Sequence, residues 1–246
     1  MASASKLEAL LEVIRSAKCA EDAARSKEVF FEALLDATVY AHSPSGPIPP
    51  GRVRFVQFRR PDNGQTVLPF FTDLAQAKVP LSPERALVSM TGRELFEWTR
   101  GATLMMNPNR EQAALYPAEI EALLEGRPLG RFGREPITLG DLTDGCPPSI
   151  PADDLVIALR NCFASEPMVS AGYLVEVLQN HEQQTETILL LVVVAPRMHA
   201  ERLVHLISLV LQTSRPDISL PLTMVCHSAE EDLPAICDRG IQFYGT

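Results

Sequence analysis

The sequence lacks the marks of most familiar chemistries. It has no CxxC, and its five cysteines (Cys19, Cys146, Cys162, Cys226, Cys237) are odd in number and irregularly spaced. Neither a disulfide framework nor a zinc-finger pattern is expected. No GxGxxG or GxxxxGK[ST] occurs, and Gly126, Gly130 and Gly133 follow a predicted helix rather than a strand, which excludes the known phosphate-cradling loops. HExxH, HxH and GxSxG are absent as well. The longest apolar run, Ile188 to Pro196, falls short of the roughly 20 residues a membrane helix needs. The opening Met1-Ala2-Ser3-Ala4-Ser5-Lys6-Leu7 has no basic region followed by an apolar stretch, so no signal peptide, no membrane insertion and a cytoplasmic location are expected.

Positive charge is also scarce, and unevenly so. The formal net charge is −9; residues 150–246 hold twelve Asp and Glu against five Arg and no Lys. Such a surface repels phosphate backbones, so nucleic acid is not an expected partner. It keeps a domain in solution and equally suits docking to a basic partner.

What is present is an ordinary globular composition, with 46% hydrophobic and 22% charged residues over 246 positions. That length suits two domains of roughly 100–150 residues. Leu7, Leu10, Leu11 and Ile14 share one helical face, as do Val29, Phe30, Ala33, Leu34 and Ala37. Thr38–Ala41 reads as a first strand. Asn63-Gly64 between apolar runs predicts a hairpin of Val53–Arg59 and Gln65–Phe71 with a type I′ turn. Arg85–Met90 is a strand, and Thr91 with Glu94 forms the capping box of a helix through about Arg100. Ala102–Met106 is a strand, and Pro117 opens a helix that Gly126 ends. Residues 127–151 are rich in glycine and proline, with a short strand around Ile137-Thr138-Leu139, and the domain division is placed at 147/148. The second domain reads as a helix (151–164), a hairpin (168–179 and 185–195), a helix (198–213), a strand (218–227), a short helix (230–238) and a last strand (241–244). The fold class is therefore α+β, two small domains, each a mixed sheet packed with helices.

Candidate chemistry is thin. His199 and His205, six apart on one helix, fall on opposite faces. Cys226 and His227 are neighbours on a strand and also diverge. Cys162 and Cys226 sit in apolar settings where cysteine acts as a small hydrophobe. Asp153-Asp154 and Glu230-Glu231-Asp232 mark helix starts, where carboxylates cap amides. No catalytic residue, metal site or cofactor is expected. The feature that stands out is arginine beside aromatics: Arg52, Arg54, Arg59 and Arg60 on the hairpin, next to Phe70 and Phe71. Binding hot spots favour that composition, so Arg54, Arg59, Arg60, Phe70 and Phe71 are the candidate contact residues, for another protein or for self-association.

Several segments resemble a known family. Leu68-Pro69-Phe70-Phe71-Thr72-Asp73-Leu74-Ala75-Gln76-Ala77 is similar to the "LPVFTSLERA" pattern of SseB-like N-terminal domains. Phe30–Tyr40 is similar to its "FYRALLEATLYV", and Leu104–Asn109 with Leu115–Leu124 to its "LNPGS…LTPEEIAALL". Val169-Ser170-Ala171-Gly172-Tyr173-Leu174 resembles the opening of the SseB C-terminal domain. One departure is Tyr116, where the family places a Ser or Thr cap, so a looser helix start is expected there. The family is named for a phenotype, enhanced serine sensitivity, and the resemblance implies no catalytic residues. It implies a non-catalytic binding or regulatory protein; some related domains sit near bacterial secretion systems, which suggests an adaptor or immunity role. A small-molecule receptor or enzyme for amino-acid-like ligands, with a site between the domains, is the alternative.

Overall fold

The computed structural model describes residues 2–17, 20–47, 52–79, 82, 84–133, 142–181 and 184–245. The predicted strand at 137–139 and Cys19 lie outside these residues. The chain divides into two compact units, Met1–Leu129 and Gly130–Thr246. Each holds one mixed sheet with helices, the α+β arrangement read from the sequence.

In the first unit, helices α1 (Ala2–Ser16) and α2 (Ala20–Asp36) precede strand β1 (Thr38–Pro44). Strands β2 (Phe58–Arg59), β3 (Thr66–Phe71), β4 (Arg85–Thr91), β5 (Leu104–Met106) and β6 (Ala113–Leu115) follow. Helices α3 (Leu74–Lys78), α4 (Gly92–Trp98) and α5 (Pro117–Leu124) are interleaved among them. The sheet order is β4-β1-β3-β5-β6, with β2 on β3; only β3 and β5 run parallel. Alternation decides the core. Val39, Ala41, Leu68, Phe70, Leu104 and Leu115 face one side, against Leu7, Leu11, Phe30, Leu34, Leu95, Phe96 and Ile120 of the helices.

Local chemistry sets the boundaries. Thr91 accepts the Glu94 N–H (3.2 Å) and Glu94 accepts the Thr91 N–H (2.8 Å), the expected capping box. The start of α5 is firmer than its sequence suggests: Pro117 occupies the first turn and Glu119 accepts the Tyr116 N–H at 2.9 Å. Val29, expected inward, is 47% exposed, because Phe30 and Leu34 already fill the facing stripe of α2.

In the second unit, β7 (Leu142–Cys146) precedes α6 (Asp153–Ala164), β8 (Ala171–His181), β9 (Gln184–Val194), α7 (Ala200–Ser214), β10 (Leu222–His227) and β11 (Ile241–Tyr244). The predicted helix at 230–238 is a 3-10 turn at Ala235–Arg239, which Pro234 introduces. The sheet order is β10-β9-β8-β11, with β7 also on β8; β9 and β10 are parallel. Leu155, Leu159 and Phe163 of α6 and Leu203 and Ile207 of α7 cover Leu174, Leu189, Leu191 and Val193. Val175, Val177, Ile188, Leu190 and Val192 form the opposite core with Leu142 and Cys237. The continuous apolar run of β9 is therefore buried on both faces. Because β7 pairs with β8, residues 142–146 stand with the second sheet, whereas a division at 147/148 assigns them to the first domain. Among the described helices none is long and apolar enough to cross a membrane.

Candidate interaction surface

The hairpin is built differently from its sequence pattern. Its regular pairing is limited to Phe58↔Val67 and Arg59↔Thr66. The turn is longer than type I′: Arg60 N–H donates to the Gln65 carbonyl (2.8 Å) and Gly64 N–H to the Arg60 carbonyl (3.0 Å), so Pro61-Asp62-Asn63-Gly64 form the loop. Pro61 pre-sets the φ of an ordinary first turn residue. Gly64, at φ +71°, supplies the one left-handed step in the loop. Asn63 Oδ1 accepts the Gln65 N–H at 3.0 Å, closing the return. Upstream, Val56 N–H donates to the His42 carbonyl (2.8 Å), which ties the arm to β1.

On this frame the predicted residues separate into three groups. Arg52 and Arg54 are exposed. Arg59 is exposed too, but its Nε donates to the Gly64 carbonyl at 2.8 Å and clasps the loop. Arg60 makes a two-pronged bond to Asp62 (Nε–Oδ1 3.0 Å, Nη2–Oδ2 2.6 Å), and that guanidinium holds the Asp62 carboxyl below the usual range. Phe70 and Phe71 are 0% and 1% exposed and are no part of a contact surface. Phe70 meets Phe96 edge-on in the helical core, and Phe71 meets His42 on the other face of the sheet (centroids 5.3 Å apart). Each neighbouring position on β3 faces a covered layer, so both rings are buried.

Behind Phe71 lies a polar layer that the sequence did not signal. His42 Nε2 is 2.8 Å from the Ala77 carbonyl, which docks α3 on β1. At the carboxyl ends of the parallel strands, Asn107 Oδ1 accepts the Thr72 N–H (3.0 Å) and Asn107 Nδ2 donates to Thr72 Oγ1 (2.9 Å). Both residues are buried. Gln76 is buried beside them in the chain, and its amide N and O have no hydrogen-bond partner among the described residues.

The described thiols, Cys146, Cys162, Cys226 and Cys237, lie in the second unit. Desolvation pushes Cys162, Cys226 and Cys237 up to about 11, with Glu166 adding to the rise at Cys162 and Asp238 at Cys237. Thiols held protonated are poor nucleophiles. Glu166, also buried, is held by Arg202 through both oxygens (2.6 and 3.2 Å), which gives that carboxylate a structural partner. His205 stands edge-on to Phe132 at 4.8 Å. Among the described residues no cluster of three or more His, Cys, Asp or Glu is placed to hold a metal.

Residues 7–122 match the SseB protein N-terminal domain. Over 190 residues the chain is 28% identical to "Protein SseB" of Escherichia coli (strain K12), a stretch covering 73% of this chain and 69% of that one. "Protein SseB" of Shigella flexneri matches to the same extent. No solved structure matches the chain.

Proposed function

We propose, from the similarity of residues 7–122 to the SseB protein N-terminal domain and of 190 residues to Protein SseB, that the chain is a non-catalytic protein-binding or regulatory module. The observation that carries this is the hairpin arm: Arg52, Arg54 and Arg59 are exposed on a loop whose base is fixed by Phe71, His42 and the Arg60–Asp62 pair. Exposed arginines recognise carboxylates with directional, two-pronged bonds. The partner surface is therefore acidic. An adaptor or immunity protein beside a bacterial secretion system is the form of this function that the family resemblance suggests.

Affinity capture from the cells the protein comes from, with wild type and Arg54→Glu/Arg59→Glu side by side, tests it. A partner held by wild type is lost from the double variant, and what binding remains is less sensitive to salt, since exposed charges are screened within about 8–10 Å. Equal capture by both proteins, with the variant folded, removes the hairpin as the contact surface.

A small-molecule receptor is favoured by a separate observation, the buried and unpartnered Gln76 amide. Leaving such a group unsatisfied costs about 1–3 kcal/mol. A polar guest carrying both a donor and an acceptor would recover it. Free amino acids and small amides then raise the melting temperature of wild type but not of Gln76→Leu; no shift in either protein removes this function.

A further inference from the structure

Among the described residues the second sheet ends at β10, with no further strand paired on its outer side. Leu189 N–H donates to the Pro221 carbonyl (2.8 Å) and Ala195 N–H to the His227 carbonyl (3.0 Å). The register runs in parallel from Leu222↔Leu189 to His227↔Val194. Main-chain groups alternate along a strand, so those of Thr223 and Val225 also turn toward β9, while those of Leu222, Met224 and Cys226 turn outward. Among the described residues β9 is the one strand paired with β10.

Sheet edges are normally guarded by shortness, bulges, proline or charge. Strand β6 has three residues, β11 has a register shift at Gln242/Tyr244, and β4 begins with Arg85. Strand β10 has six residues, Leu-Thr-Met-Val-Cys-His, with no bulge, no proline and no Lys, Arg, Asp or Glu. All six are partly exposed, with Leu222, Met224 and Cys226 packed on one core and Val225 on the other. An added strand would cover apolar flanks on both faces as well as six main-chain groups.

Charge selects the occupant. Asp217 precedes the strand, and Glu230 and Asp232 follow it, all exposed. Arg215 stands two residues before Asp217 and Arg197 is bonded to Glu231, so the unbalanced acidic side chains, Glu230 and Asp232, lie at the carboxyl end of the strand. We propose that β10 accepts an extended segment of another protein, alternating small β-branched residues and carrying Lys or Arg at the end that meets Glu230 and Asp232. This is β-strand addition, in which main-chain bonds give affinity and the charged end gives direction. It rests on the chain being a protein-binding module, and it uses a surface other than the hairpin.

The probe is a synthetic peptide, Lys-Lys-Thr-Val-Thr-Val-Thr, against a control with Glu in place of both Lys, titrated into the full chain. Amide hydrogen exchange at Met224 and Cys226 slows with the basic peptide and is unchanged with the acidic one. Met224→Pro removes an outward donor while sparing the ladder to β9, and weakens binding by about tenfold or more. Glu230→Lys/Asp232→Lys weakens it several-fold without touching the strand, which covers the case of a misfolded proline variant. Unprotected amides at Met224 and Cys226, or wild-type binding by both variants, overturns the proposal. A dimer in sedimentation that Met224→Pro abolishes also overturns it, since the occupant is then a second copy. If the peptide fails while Arg54→Glu/Arg59→Glu still releases a captured partner, the module function stands and the β10 edge does not.

Discussion

At the scale of single residues, burial separates what this chain uses for structure from what it shows to solvent. Three thiols illustrate it. Cys162, Cys226 and Cys237 have their pKa raised from 9.0 to about 11, while Cys146 is exposed. Iodoacetamide at pH 8 is expected to label Cys146 well before the other three, as followed by peptide mass spectrometry. Fast labelling of Cys226 or Cys237 in the folded protein would identify an activated thiolate instead. The same shifts have a sign for stability. The folded pKa is the higher one, so the contribution is present below about pH 9 and is lost as pH rises through about 11. The denaturation midpoint therefore falls over that window, and falls less in a Cys162→Ala/Cys226→Ala variant.

Asn107 makes a second case at this scale. It sits at φ +45° and bonds Thr72 twice while fully buried. Alanine there orphans the Thr72 N–H, at about 1–3 kcal/mol, and strains the left-handed backbone by roughly another 1–2. Glycine loses the side-chain bonds but not the backbone fit. Urea denaturation should rank wild type above Asn107→Gly, and Asn107→Gly above Asn107→Ala; a reversed order would mean the backbone geometry is relaxed in solution.

Elements were legible where a single period or a cap dominates, and illegible where two rules compete. The helical stripes of α1, α2 and α6, the Thr91–Glu94 box and the long β8–β9 hairpin all announce themselves. Strand β6 is Ala-Ala-Leu, with no β-branched residue, and β7 is Leu-Thr-Asp-Gly-Cys, with Asp144 at φ +53° and a register shift, so neither shows a strand pattern. At the hairpin, Asn63-Gly64 pointed to one turn and Pro61 enforced another. Exposure of the arginines was readable, but the Arg60–Asp62 pairing depends on that turn, and the burial of both Phe70 and Phe71 depends on layers contributed from elsewhere in the chain. Close packing between elements is equally invisible in sequence. Gly92, the first residue of α4, lies so near α2 that a Cβ would stand 2.1 Å from the Leu34 carbonyl oxygen and 2.9 Å from its carbon. Alanine favours a helix interior by about 1 kcal/mol over glycine, yet a clash with main chain has no side-chain rotamer to relieve it. Gly92→Ala is therefore expected to destabilise, by roughly 1–3 kcal/mol or more. A raised melting temperature would show that α4 can slide away from α2.

For the whole molecule, the question is where one folding unit ends and the next begins. The proline-rich stretch Cys146-Pro147-Pro148 looks like a linker, but both of its flanks are engaged. Before it, β7 pairs with β8 through Leu142↔Gln179, Thr143↔Leu178 and Cys146↔Glu176. After it, Glu176 accepts both the N–H (2.7 Å) and the hydroxyl (2.6 Å) of Ser149, bonds that lower its pKa. Upstream, Gly130 lies against α7: a Cβ there would come within 2.3 Å of the Ser208 carbonyl carbon and 2.5 Å of the Leu209 nitrogen. The unit is thus closed by segments on the amino side of the prolines. A fragment of residues 130–246 keeps these contacts, whereas a fragment of residues 148–246 loses β7, leaves part of the β8 edge unpaired and uncovers the core that Leu142 helps to fill. Burial of one leucine alone contributes about 1.5–3 kcal/mol, and a small domain holds only about 5–15 kcal/mol in all. The longer fragment should melt cooperatively, and the shorter one should melt lower or aggregate through the bared edge. Equal melting temperatures for the two would place the boundary at 147/148 after all and make β7 an ornament of the sheet rather than part of its fold.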